Sequence, residues 1–207
     1  MKPTMFVVIT TLRFRDLRSL YHSLARQGHD VKAYSPGSLG QVVPNTDSWI
    51  LGSVGVKLSG VSVLAFANGK VKLSGGCVGY QPPECVKTWL YEHRIRPVCE
   101  ELQCDPPEAY SLSLLNGYHR LEHVRLETFH TIMQTWTSDF VVKPPTMYNN
   151  PTKRGRICSV GVRVKGIHGS LRFDHTGKMQ MFGFRSYEDM ENAVQFLESH
   201  LKNTMTK

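Results

Sequence analysis

Cysteine pairs, long apolar runs and low-complexity tracts are what this 207-residue chain lacks. Its cysteines, Cys77, Cys85, Cys99, Cys104 and Cys158, are odd in number and contain no C-x-x-C pair. That pattern argues against a disulfide framework or a zinc ribbon and fits a reducing, intracellular setting, the nucleus or the cytoplasm. The most apolar stretch near the start, M-F-V-V-I-T-T-L (5–12), runs at once into Arg13, Arg15 and Asp16. It is too short to cross a bilayer, has no small-residue cleavage site, and reads as a strand. Catalytic signatures are missing as well: there is no nucleophile motif, no glycine-rich phosphate loop and no paired carboxylates. His168, Asp174 and His175 fall in or beside a hairpin turn, where polar side chains are ordinary. His119, His123 and His130 have the spacing of one helical face, but no Cys or carboxylate stands at a convincing fourth-ligand position. No enzyme activity, metal or cofactor is expected.

What the chain does have is an excess of positive charge, +8 at neutral pH, with 41% hydrophobic residues, enough for a sizeable core. A polyanionic partner follows naturally from such a balance, nucleic acid first. The charge is concentrated. The windows 49–75 and 156–184 hold Lys57, Lys70, Lys72, Arg156, Arg163, Lys165, Arg172 and Lys178, and their only acid is Asp174. The acids gather instead in helical stretches, around Glu84–Glu101 and Glu188–Glu198.

Periodicity gives one order of elements twice. Strand-like 5–14 precedes helical spacing at Leu17, Leu20, Tyr21 and Leu24, stopped by Gly28. Strand runs follow at 49–58, 61–66 and 70–74, with Asn68-Gly69 as the hairpin turn. Pro82 and Pro83 then open a helix carrying Val86, Trp89, Leu90 and His93, which Pro97 is expected to break or kink. The second half repeats this: a strand at 110–115, a helix through Leu126, Phe129, Met133 and Trp136, strands at 156–165, 169–173 and 178–184, and a last helix with Met190, Ala193, Val194, Leu197 and Leu201, capped by Ser186. S-V-G-V-K-L-S-G (53–60) matches S-V-G-V-R-V-K-G (159–166), and N-G-K (68–70) matches T-G-K (176–178). The expected organisation is two repeats, residues 1–106 and 107–207, in one pseudo-twofold α+β domain: a curved antiparallel sheet with helices on its convex face.

Alternation then assigns faces. Leu64, Phe66, Lys72 and Ser74 are expected on the uncovered face of the first half, with Val63, Ala65, Val71 and Leu73 meeting the helices. Pairing L-A-F-A-N-G-K with L-R-F-D-H-T-G-K puts Leu171, Phe173, Gln180 and Phe182 on the uncovered face of the second.

V-L-A-F-A-N-G-K-V-K-L-S-G (63–75), the duplicated order of elements and the apolar-Phe-turn-Gly-Lys hairpin in each half resemble the TATA-binding protein family over about residues 5–202. The resemblance implies a saddle that wedges phenylalanines between base steps in the DNA minor groove, a mechanism borrowed here from the family. Carried over by position, Phe66 and Phe173 fall on the inner wedges and Trp49 on the first outer one. Gly155 or Arg156 occupies the second outer position, Lys72 and Gln180 replace apolar groove contacts, and the family's paired Asn is absent. Lys57, Arg163, Lys165, Arg172 and Lys178 would meet phosphates or groove edges. These departures make the chain look like the divergent TATA-binding-like proteins of large DNA viruses, which would place it at a viral replication site if not in the nucleus. The implied function is duplex DNA binding in transcription initiation, with general transcription factors or RNA polymerase subunits as protein partners and no membrane. The competing readings are a protein-interaction module that keeps the fold without bending DNA and, with only the histidines behind it, an enzyme on a ferredoxin-like scaffold.

Overall fold

The computed structural model describes residues 1–36, 51–82, 84–122 and 124–205. They divide into two units, Met5–Ser113, and Leu114–Lys207 together with Met1–Thr4. No helix among the described residues is long and apolar enough to cross a membrane.

In the first unit the order is β1 (Lys2–Thr11), α1 (Leu17–Arg26), β2 (Lys32–Tyr34), β3 (Ser53–Leu58), β4 (Val61–Phe66) and β5 (Lys70–Gly76), followed by the helical run α2 (Val86–Leu90) and α3 (Arg96–Leu102). The strands lie β2-β3-β4-β5-β1, all antiparallel. Local chemistry sets the helix ends. The Asp16 carboxylate accepts from the Ser19 N–H at 2.8 Å, satisfying one of the donors that the first turn of α1 leaves unpaired. Gly28, at φ +85°, closes the other end, where its N–H and that of His29 donate back to Ala25 and Leu24. The Asn68-Gly69 turn forms as expected, with Asn68 Oδ1 accepting from the Lys70 N–H.

Just before Pro97 the regular α-helix is interrupted, while the helical run continues past it. The proline's missing N–H would have bonded the His93 carbonyl, and the Arg94 guanidinium donates to that oxygen instead at 2.9 Å. The strain is taken up by a π-helical segment, Tyr91–Ile95, that joins α2 to α3. One side of the sheet is sealed by apolar packing: Phe6, Val8, Val54, Val63, Ala65, Val71 and Leu73 are buried, as are Leu17, Leu24, Trp89, Leu90 and Val98 from the helices.

The second unit runs β6 (Tyr110–Arg120), α4 (Leu126–Thr135), β7 (Phe140–Val142), β8 (Thr146–Met147), β9 (Ile157–Val164), β10 (Ser170–Asp174), β11 (Lys178–Phe184) and α5 (Tyr187–Met205). Its strands lie β6-β11-β10-β9-β7, with β8 also on β9. α4 packs on β9 and α5 on β11. As the sequence implied, Ser186 caps α5, its Oγ accepting from the Asp189 N–H at 2.9 Å. The core joins Leu115, Val160, Val162, Met179, Met181 and Phe184 to Phe129, Met133, Met190 and Leu197. Mixed α+β class and antiparallel pairing agree with the sequence reading. The short strands β2, β7 and β8 were not legible, because two- and three-residue runs carry no period.

Candidate nucleic-acid interface

Each sheet has one face against its helices and an outer face turned away from them. In the first unit, register lines up Gly55, Leu64, Lys72 and Ile9 across four strands, and Lys57, Ser62, Ser74 and Val7 in the next row. Leu64, Phe66 and Ser74 are half-buried on that face, Lys57, Lys70 and Lys72 are exposed, and Ile9 and Met5 are exposed apolar side chains beside them. The expected face assignment holds here: Val63, Ala65, Val71 and Leu73 all point inward and are buried. Gly55 earns its place, since a Cβ there would come within 3.0 Å of the Tyr34 ring that lies over it. The outer face of this unit thus combines an apolar strip, Met5–Val7–Ile9 with Leu64 and Phe66, with flanking lysines.

The second unit corrects the sequence reading. Phe173 is fully buried and packs on Phe129 with ring centroids 4.7 Å apart, and Leu171 is buried beside it. Neither faces outward. The reason is the position of the two residues that this half gains. Val56 faces Val63, whereas Val162 faces Leu171, so both extra residues sit in the β9–β10 turn. The next turn has not lengthened: Ala65 faces Val71 and Phe173 faces Met179 across the same number of residues. By register Phe173 therefore corresponds to Ala65, and Phe66 to Asp174. A match that pairs the two phenylalanines is one residue out of step, and a one-residue slip in a strand exchanges its faces. Gly169 marks the enlarged turn, at φ +108° and so near Phe184 that a Cβ would fall 2.7 Å from the ring.

Arg172, Lys178, Gln180 and Phe182 do occupy the outer face, joined by Arg163. Arg172 sits over the Phe182 ring, 5.8 Å from its centroid, and the Lys178 ammonium over Tyr118 at 4.5 Å. Lys165 is committed elsewhere: its Nζ donates to the Thr137 carbonyl at 2.8 Å, at the end of β9. Asp174, the one acid in the strands among the described residues, is folded into its own turn, accepting from the Thr176 N–H at 2.8 Å and the Lys178 N–H at 3.3 Å. Among the described residues it forms no ion pair with a cation of the face. Trp49 lies outside the described residues.

Sequence reasoning missed Ile9, Tyr34, Tyr118 and Arg120, the last an exposed cation opposite Lys178 on the neighbouring strand. Alternation along the 5–14 strand would have found Ile9, and along β6 would have found Tyr118 had that strand been extended past Leu115. The histidines are not gathered into a site. His119 pairs with Glu198 at 2.8 Å, His130 contacts Gln134, and His123 lies outside the described residues. Among the described residues no group of three or more His, Cys, Asp or Glu is placed to hold a metal ion.

No family model matches the chain, and no curated protein matches it. Solved structures do. One of them, Methanococcus jannaschii TBP, is similar over 98% of this chain and 98% of its own, with a TM-score of 0.61 and 16% sequence identity. At that identity the likeness is one of fold, and the fold is that of the archaeal protein from end to end.

Proposed function

We propose that the chain binds duplex DNA through the outer faces of its sheets and serves, without catalysis, as a TATA-binding-protein-like factor in transcription initiation. One observation carries the reading: cations from neighbouring strands share one face in each unit, while the strands hold a single acid among the described residues, Asp174, which is held in its turn. The fold likeness to an archaeal TBP supports it. The first unit supplies the groove-binding chemistry, an apolar strip that ends in Phe66, the candidate wedge among its described residues, with Lys57 and Lys72 on the same face. The second supplies charge. With Phe173 in the core, that half cannot insert the same ring between base steps, so a symmetric kink of the duplex does not follow. Initiation factors or polymerase subunits would then meet the helical side.

The test is a fluorescence titration of an A·T-rich duplex over a range of salt. If five outer-face cations meet phosphates, log K falls against log salt with a slope of about −4.5, a loss of several hundred-fold between about 50 and 200 mM. Phe66→Ala should weaken binding at every salt concentration without changing the slope, because it removes no charge. Absence of duplex binding even at the lowest salt would refute the proposal and leave the interaction-module reading in its place.

A further inference from the structure

The outer face of the second unit is built for something a duplex does not offer. Phe182 is 37% exposed, unusual for a ring with a core available on the opposite side of the same strand. It is presented by a deliberate irregularity. The β6–β11 register shifts between Met181 and Phe184, Gly183 takes φ +73°, and Asn116 Oδ1 accepts from the Gly183 N–H at 3.0 Å, pinning the bulge. Bulges re-aim side chains and recur beside functional sites. Tyr118, opposite Gln180 on the neighbouring strand, is a diagonal neighbour of Phe182 on the same face. Each ring has a cation over it, Arg172 on Phe182 and Lys178 on Tyr118.

Two aromatic rings on adjacent strands, interleaved with cations and a Gln, form a stacking platform. In a duplex the base faces are covered by their neighbours and a ring reaches them only by wedging a step apart, so two rings lying side by side on a strand face find ready partners in unpaired nucleotides. We infer that the outer face of the Leu114–Lys207 unit binds single-stranded nucleic acid, with one base stacked on Phe182 and the next on Tyr118. A cation on an exposed ring is a weaker partner than a stacked base. The arriving bases displace Arg172 and Lys178, which stay within reach of the flanking phosphates, and Gln180 between the rings bonds a base edge. This goes beyond the duplex proposal and does not depend on it.

The experiment uses the full chain and a fluorescein-labelled oligothymidylate of about twelve nucleotides, within the site size of single-strand-binding sheets, alongside the A·T-rich duplex. Phe182→Ala and Tyr118→Ala should each weaken oligothymidylate binding roughly tenfold, while Phe182→Tyr and Tyr118→Phe retain it. Melting temperatures should stay within a few degrees of the parent's, Phe182 being exposed and Tyr118 half-buried, and duplex affinity should fall less than oligothymidylate affinity, because this unit would meet a duplex through its cations. Failure of the parent to bind the oligonucleotide overturns the inference, as does a double alanine variant that binds it like the parent, or equal losses on oligonucleotide and duplex. Ring-dependent oligonucleotide binding without duplex binding would uphold the inference and sink the duplex proposal; the reverse pattern would do the opposite.

Discussion

Replacing Phe173 with alanine, beside the same change at Phe66, separates core from surface in two strands that look interchangeable on paper. Phe173 is fully buried against Phe129. Removing such a ring forfeits its burial and leaves a cavity that the neighbours only partly fill, a cost of about 3–5 kcal/mol. At roughly 2–4 °C per kcal/mol for a chain of this size, the melting temperature should fall by about 6–20 °C. Phe173→Leu, which fills most of the volume, should cost about 1 kcal/mol and serves as the control for shape. Phe66 is half-buried on the outer face, so its truncation loses about 1 kcal/mol of burial and moves the melting temperature by only a few degrees. Its effect belongs in the DNA titration, as a loss of about tenfold, the few kcal/mol of a wedged step being only partly recovered by the rest of the strip. Calorimetric or circular-dichroism melting and fluorescence anisotropy on the same three variants give the comparison. A Phe173→Ala variant that melts like the parent and loses DNA binding as Phe66→Ala does would refute the register argument.

Two further tests follow from individual side chains. Lys165→Ala should leave the salt slope of duplex binding unchanged, because its ammonium is held by the Thr137 carbonyl, whereas Arg163→Ala or Arg172→Ala should each reduce the slope by about 0.9; equal effects of all three would show that Lys165 leaves its carbonyl to meet DNA. The Tyr110 phenol, which donates to the Lys87 carbonyl, is pushed up to about 12 by burial, with the nearby Cys85 thiol adding to the shift. An unfolded tyrosine ionises near 10, so between about pH 10 and 12 the unfolded state binds fewer protons and stability falls as pH rises. Denaturant titrations should show the parent losing stability across that window more steeply than Tyr110→Phe, and parallel curves would contradict the assignment.

Much of the fold was written locally. The Ser186 cap, the Gly28 stop and the Asn68-Gly69 turn act within a few residues, so neighbouring letters reveal them. The first hairpin's faces were legible for the same reason: its turn fixes its register, and alternation does the rest. At Pro97 the letters point to an interruption, and the structure adds how the freed His93 carbonyl is satisfied, by the Arg94 side chain. Letters also set the charge and its concentration in the strands.

The candidate site was legible in one half and misread in the other. L-A-F-A-N-G-K and L-R-F-D-H-T-G-K look like the same hairpin, yet Phe66 faces outward and Phe173 inward. What decides between them is the enlarged β9–β10 turn upstream and the room beneath the sheet, where Phe129 and the surrounding aliphatics accept a ring that Ala65 does not supply in the first unit. Sequence by itself determined which residue types each strand carries and that cations and rings would share its alternating sides. Only the tertiary structure decided which side faces the helices, because strand register is a property of pairing between distant segments, and a single step of it exchanges the interior for the surface.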